Sequence, residues 1–301
     1  MTIPESQLET WSHQGSITQS STTYATIRTA LQSASTKYAG KDFGIFLQGS
    51  YGNDTNIYAE SDVDVVIRLD STFHYDLAAL TDADRATFEA AYSGSASYSY
   101  GNFKGHVLDA LNSSFGASVS AGPKAIKITA NGSRRNADVV AATQFRLYTR
   151  FKSTSDQTFH DGICFFTSAG NRIVNYPKQH SANCSAKHQA TGNNFKPLVR
   201  IFKNIRSKLV GDGLIGNGVA PSYFIEGLLY NVPNDKFSGT YANMVCNILT
   251  WLHATPDRHA PFGRKAAQKR GCELNSRTPK ANNAPYAEPP PQRTPGPDIC
   301  L

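Results

Sequence analysis

The chain has 301 residues, 40% of them hydrophobic, enough for one large or two moderate domains with a sizeable core. It contains no run of about 18 apolar residues, which excludes a helical membrane span. Of the formal net charge of +7, four units fall after Thr255, so the body is only mildly basic, enough for triphosphates but short of a clear polynucleotide footprint.

The first ten residues are polar and acidic, and do not read as a signal peptide. Leu8, Trp11, Ile17, Tyr24, Ile27, Leu31 and Ala34 recur at near-helical spacing, predicting one helix or two between Gln7 and Tyr38. Ile45–Leu47 and Val63–Ile67 predict two buried strands, being short, apolar and β-branched or aromatic. Between them lie Gly49-Ser50 and an eleven-residue connection, Tyr51 to Ser61. Asp62 and Asp64 alternate with Val63, so both project to one face, about 6.5 Å apart along the chain. Two carboxylates on an otherwise buried strand are costly unless something positive neutralises them. A pair of divalent cations about 4 Å apart would do so. The Gly-Ser turn offers N–H groups and a hydroxyl to a phosphate. A solvent-facing strand that happens to carry two acids is the plainer alternative.

Asp82–Tyr92 and Phe103–Phe115 predict further helices, separated by a polar Ser/Gly/Tyr loop over Ser93–Tyr100. Lys124–Thr129 alternates as a strand, Asn131-Gly-Ser133 is turn chemistry, and Ala137–Val140 resumes as its partner. A hairpin here, beside the D-x-D strand, would aim Asp138 at the same cations. The alternative for Asp138 is a strand-end residue capping a turn.

Gly-Ser, a spacer of this length and then Asp-x-Asp resembles the signature of the polymerase-β-like nucleotidyltransferases. Phe103-Lys-Gly105, Gly162–Phe165, Asn175–His180, Phe195–Lys203 and Pro221–Glu226 narrow the resemblance. They are similar to the bacterial cGAS/DncV-like nucleotidyltransferases, which make cyclic or oligonucleotide second messengers. The likeness runs from the N-terminal helix to Leu252. It implies two Mg2+ ions, with Mn2+ as a possible substitute, on Asp62, Asp64 and Asp138. The family's third acid stands in an Asp-Val-Val-Pro context; here Ala141 replaces the proline. The resemblance also implies a triphosphate contact for Lys203, a phosphate contact for Ser222 and a base-stacking role for Tyr223, with Gly49 and Ser50 on the donor phosphates.

The residues fit that picture. Phe195–Leu209 has Leu198, Ile201, Phe202 and Ile205 on one helical face and Lys196, Arg200, Lys203 and Arg206 on the other; a solvated basic face is the alternative. Ser222 and Tyr223 follow Pro221 at a helix start, and a tyrosine buried in a helical core is the alternative for Tyr223. Two other motifs fail. Gly211-Asp-Gly-Leu-Ile-Gly216 follows a helix rather than a strand, which removes the dinucleotide reading. His180, Cys184 and His188 have metal-ligand spacing, but in a polar stretch with no obvious fourth ligand.

From His253 onward the composition turns rich in Pro, Arg and Asn, with nine of the fifteen prolines after Thr255. Such a stretch cannot bury a helical face. It reads as a disordered tail that is natural or, as its composition favours, the product of a shifted reading frame. Five scattered cysteines favour reduced thiols and a cytoplasmic location.

The expected fold is α+β: a nucleotidyltransferase core over residues 1–180, a helical domain over 181–252 that could be incomplete, and a tail over 253–301. The expected activity joins NTPs into a cyclic di- or trinucleotide with release of pyrophosphate, as a signal in antiphage defence read by a downstream effector. Membrane and nucleic-acid partners are not required. The competing readings are a one-step transferase that nucleotidylates a drug, protein or RNA end, and a catalytically impaired nucleotide-binding protein.

Overall fold

Alternating β-branched residues set the centre of the molecule, and helices cover what they leave apolar. The computed structural model describes residues 3–15, 17–58, 62–94, 96–255 and 299–300. In chain order these form α1 (Glu5–Ser12), α2 (Ile17–Leu31), β1 (Phe43–Leu47), α3 (Gly49–Gly52), β2 (Val63–Asp76), α4 (Asp82–Ala91) and α5 (Tyr100–Phe115). There follow β3 (Val119–Ala121), β4 (Ile126–Ile128), β5 (Ala137–Ser153), β6 (Asp156–Phe166) and β7 (Arg172–Asn175). Then come α6 (Pro177–Ala190), α7 (Phe195–Gly211), α8 (Ser222–Tyr230), α9 (Tyr241–Ala254) and β8 (Ile299–Cys300).

The strands make one mixed sheet in the order β1-β2-β5-β4-β3, with β6 joining β5 to β7 and β8 on β2. β2 and β5 run parallel at its centre, and their register sets Asp64 opposite Asp138. β4 pairs with the first residues of β5, and β6 with the rest. Val63, Val65, Ile67 and Val139 bury one face against Ile27 and Leu31 of α2 and Phe103, Val107 and Leu111 of α5. Val66, Val140 and Ala142 bury the other with Ile163 and Phe165 of β6. Side chains alternate, so Asp64 and Asp138 share the face of Val66 and Val140, away from α2 and α5.

A second core joins α6, α7, α8 and α9 through Cys184, Phe195, Leu198, Ile201, Ile225, Leu229, Met244 and Ile248. Leu8 of α1 packs in this core. The Glu5 carboxylate accepts from the backbone N–H groups of Tyr241 and Ala242 at 2.7 and 2.8 Å, anchoring α1 to the first turn of α9.

The predicted elements are present, the N-terminal pattern as two helices that end at Leu31, with two differences. β2 and β5 run well past the predicted strands, because Phe73 and the Phe145–Phe151 stretch extend the buried pattern. The polar stretch around His180, assigned no element from composition, is helix α6. Along it only Cys184 is fully buried, so its sequence carries almost no amphipathic signal and packing holds it in place. The tail expectation falls mainly on residues outside the described ones; His253 and Ala254 still belong to α9.

The basic face of α7 is not solvated. Lys196, Arg200 and Lys203 are all buried and dock onto α1 and the loop after α3. Lys196 Nζ pairs with Asp54 Oδ2 at 2.8 Å. The Arg200 guanidinium donates to the carbonyls of Ser12 and Asp54. Burying these cations is tolerable because each finds acceptors. Arg200→Ala should strip two backbone carbonyls of their donor, costing about 1–3 kcal/mol of stability. Urea unfolding should show a lower midpoint at unchanged slope; an unmoved midpoint would mean that water replaces the guanidinium at no cost.

Candidate active site

The acids and the Gly49-Ser50 turn meet at the carboxyl end of β1. Gly49 sits there with φ +66, a conformation that glycine adopts without strain. A Cβ at this position would lie 2.1 Å from Asp64 Oδ2, so Gly49 is required both by its backbone angle and by the carboxylate against it. The turn is tied to the acid strand by the Gln48 N–H, which donates to the Asp64 carbonyl at 3.0 Å. Ser50 follows in the single turn of α3, facing α7.

Asp62 is exposed just before β2, Asp64 is half-buried within it, and Asp138 is half-buried opposite. Burial, with the charges of Asp138 and Asp62, pushes the Asp64 carboxyl up to about 7. Burial also raises Asp138, against the pull of Lys127 across the β4–β5 pair. Two adjacent carboxyls with raised proton affinities, Asp64 and Asp138, mark a site short of positive charge. The donor set is all oxygen, which suits Mg2+ or Mn2+ rather than a softer ion.

Lys203 is fully buried. Its Nζ donates to Ser50 Oγ at 2.8 Å, to the Thr55 carbonyl at 3.1 Å and to Glu226 Oε1 at 3.2 Å. Glu226 on α8 is 2% exposed. Its Oε1 also accepts from Thr55 Oγ1, and its Oε2 accepts from Asn53 Nδ2 at 3.1 Å and His180 Nε2 at 2.8 Å. Burial alone would raise the Glu226 carboxyl; the bonds from His180 and Thr55 and the Lys203 charge hold it down at about 2. Tyr223 lies over the His180 ring, with centroids 4.9 Å apart and planes 35° off parallel, and is 41% exposed. It is therefore not a core tyrosine.

One cleft of about 340 Å3 is lined by Gly49, Ser50, Asp64, Asn175, Tyr176, His180, Ser222, Tyr223 and Glu226, whereas Asp62, Asp138 and Lys203 are not among its lining residues; Lys203 sits behind Ser50 and Asp138 beside Asp64. Sequence reasoning brought Gly49, Ser50, Asp62, Asp64, Asp138, Lys203, Ser222 and Tyr223 to this region. It missed the hub formed by Asn53, Thr55, His180 and Glu226. The available signal was Glu226 itself, a lone acid in the apolar helix Ser222–Tyr230. His180, Cys184 and Glu226 have ligand atoms within 4.8 Å of one another. Both Glu226 oxygens, however, are occupied by N–H and O–H donors, the Lys203 ammonium among them. A hydrogen-bonded hub is the better description than a metal site. His188 stands apart, accepting from the Lys196 N–H.

The chain is 41% identical over 254 residues to the cyclic UMP-AMP synthase of Rhodothermus marinus, covering 84% of each chain. The chain belongs to the cGAS/DncV-like nucleotidyltransferases, in the CdnE group of cyclic dinucleotide synthases. The model of this family's C-terminal helical domain matches residues 182–270, so sequence likeness to the family continues past Leu252. The cyclic nucleotide synthase CdnE01 of Staphylococcus haemolyticus is 38% identical over 267 residues, covering 87% of this chain and 88% of that one. A structure of the Rhodothermus marinus synthase with Apcpp and Upnpp superposes with a TM-score of 0.74 at 39% identity, covering 84% of this chain and 83% of that one. A structure of the Elizabethkingia meningoseptica CdnE cyclic dinucleotide synthase with GTP and Apcpp gives 0.67 at 32% identity, covering 84% of each.

The raised Asp64 carboxyl fixes a pH dependence. Between about pH 4 and 7 the metal-free folded chain keeps a proton that the unfolded chain releases, so its stability falls as pH rises through that window. A cation held on Asp64 would have to displace the same proton. Mn2+ affinity should therefore strengthen by up to tenfold per pH unit below 7 and level off above it. Titrations from pH 5.5 to 8 check this, with Asp64→Asn flattening the profile. A flat profile for the native protein would place the cation away from Asp64.

Proposed function

We propose that this CdnE-group synthase joins two NTPs, in two successive Mg2+-dependent steps within one cleft, into a cyclic dinucleotide. The observation that carries the reading is the contact of Lys203 Nζ with Ser50 Oγ, one residue from the glycine that packs on Asp64. It sets an ammonium group directly beside the acid cluster, which supports reading Lys203 and Ser50 as a triphosphate grip.

Asp62, Asp64 and Asp138 would hold two Mg2+ ions, or Mn2+ in their place. When bound, these ions neutralise developing charge on the attacking and leaving oxygens. The remaining work belongs to the chain. Ser50 and Lys203 hold the β- and γ-phosphates of the donor, with the turn N–H groups beside them. Ser222, at the N-terminal end of α8, adds a phosphate contact where the helix dipole favours an anion. Tyr223, backed by the His180 ring, carries a base; such stacking is worth about 1–3 kcal/mol and tolerates different bases. A ribose hydroxyl of the second nucleotide attacks the donor α-phosphorus in line. The bond to the β,γ-diphosphate breaks and pyrophosphate leaves. The linear dinucleotide then turns within the cleft, and its own hydroxyl attacks its remaining triphosphate in the same way. The cellular role that accompanies this chemistry is an antiphage signal read by an effector.

Incubation with Mg2+ and four labelled NTPs, with mass spectrometry of the products, tests the reading. A phosphatase-resistant cyclic dinucleotide is expected. A labelled acceptor would identify a one-step transferase, and bound but unchanged NTP an impaired binder. Asp62→Asn combined with Asp64→Asn should abolish product while leaving the metal-free fold intact, since it removes like charges that repel. Asp138→Asn should lose at least a hundredfold in turnover, about 2.7 kcal/mol, with NTP binding largely kept. Native turnover in Asp138→Asn would reduce that residue to a strand-end acid.

A further inference from the structure

Triphosphate grip and base platform are separate contacts, joined by one side chain. Glu226 turns Oε1 toward Lys203 and Thr55, which lie under Ser50, and Oε2 toward His180, which lies under Tyr223. Asn53, on the loop following the phosphate turn, fixes the same Oε2. A carboxylate is a rigid plane. It cannot rotate to follow Lys203 without withdrawing from His180, nor tilt toward His180 without loosening Lys203. Water, which could blur this link, is nearly excluded at a side chain 2% exposed, and hydrogen bonds in such surroundings reinforce one another.

We propose that Glu226 is a positioning residue that couples the two halves of the nucleotide site, so that a base seated on Tyr223 tightens the Ser50–Lys203 grip on its triphosphate, and the converse. The proposal rests on the nucleotide-binding reading above. It assigns Glu226 no contact with the reacting atoms. It makes discrimination for a complete NTP cooperative: a nucleoside or a bare triphosphate, engaging one half alone, gains little from the other.

The test is a binding cycle on the full chain with Mg2+ and non-hydrolysable analogues of the four NTPs, using whichever binds most tightly. Lys203→Gln and Tyr223→Ala should each weaken binding. Their combined loss should fall at least fivefold short of the product of the single losses. In a Glu226→Gln background, itself at least tenfold weaker, the two losses should multiply. His180→Phe is the second route if Glu226→Gln does not fold. It keeps a ring under Tyr223, removes the bond to Oε2, and should likewise make the losses multiply. A structural role alone would lower the melting temperature and scale every affinity by one factor. Losses that already multiply in the native background, or native affinity in Glu226→Gln, would overturn the coupling while leaving the nucleotide reading in place. Failure of the native chain to bind any NTP would overturn both.

Discussion

A buried lysine and a buried glutamate hold the two cores to each other. Lys203 and Glu226 come from adjacent helices of the second core, and their remaining bonds run to Ser50, Asn53 and Thr55 beside the sheet. Isolated, either charge would be expelled from such surroundings. Together they remain inside because every lone pair and proton on view has a partner. Removing one partner strands the other, which makes the pair a poor source of net stability but a strong determinant of geometry. The cleft exists because this pair holds α7 and α8 at hydrogen-bonding distance from the Gly49-Ser50 turn and the loop after it.

The opposite arrangement rules across the cleft. Asp64 and Asp138 are placed side by side by the parallel register of β2 and β5, and the backbone ladder does not yield to their repulsion. Sheet pairing, summed over the long central strands, holds like charges together and leaves them under-neutralised. One wall is thus satisfied and rigid, and the other is electrostatically incomplete. On the function proposed above, an anionic substrate carrying divalent cations would complete the second while leaning on the first.

Much of this was legible in the sequence because the acids break an apolar alternation. Asp62, Asp64 and Asp138 stand out where Val and Ile are otherwise required, and Gly49-Ser50 is turn chemistry at fixed distance from them. Helical periodicity showed Lys203 as one basic residue among four, and only the family resemblance singled it out. Burial of three of the four was not legible, since lysines and arginines on an amphipathic helix normally face water and the sequence does not state what packs against them. His180 was hidden differently. Helix α6 carries almost no periodic apolar signal, so the residue read as part of a polar stretch. Glu226 was visible as an anomaly in an apolar helix, but its partners lie in a different stretch of chain, and no local pattern names them.

The hub has a temporal side. Ser50 and Lys203 are 153 positions apart, and Asn53 and Glu226 173. At about 5–20 residues per second, synthesis needs on the order of ten seconds or more to travel from the phosphate turn to Glu226. Contacts of such long range also close late in folding. The growing chain therefore carries its acid strands well before Lys203 and Glu226 exist to complete the other wall of the cleft. A synthase of this build cannot turn over while half made.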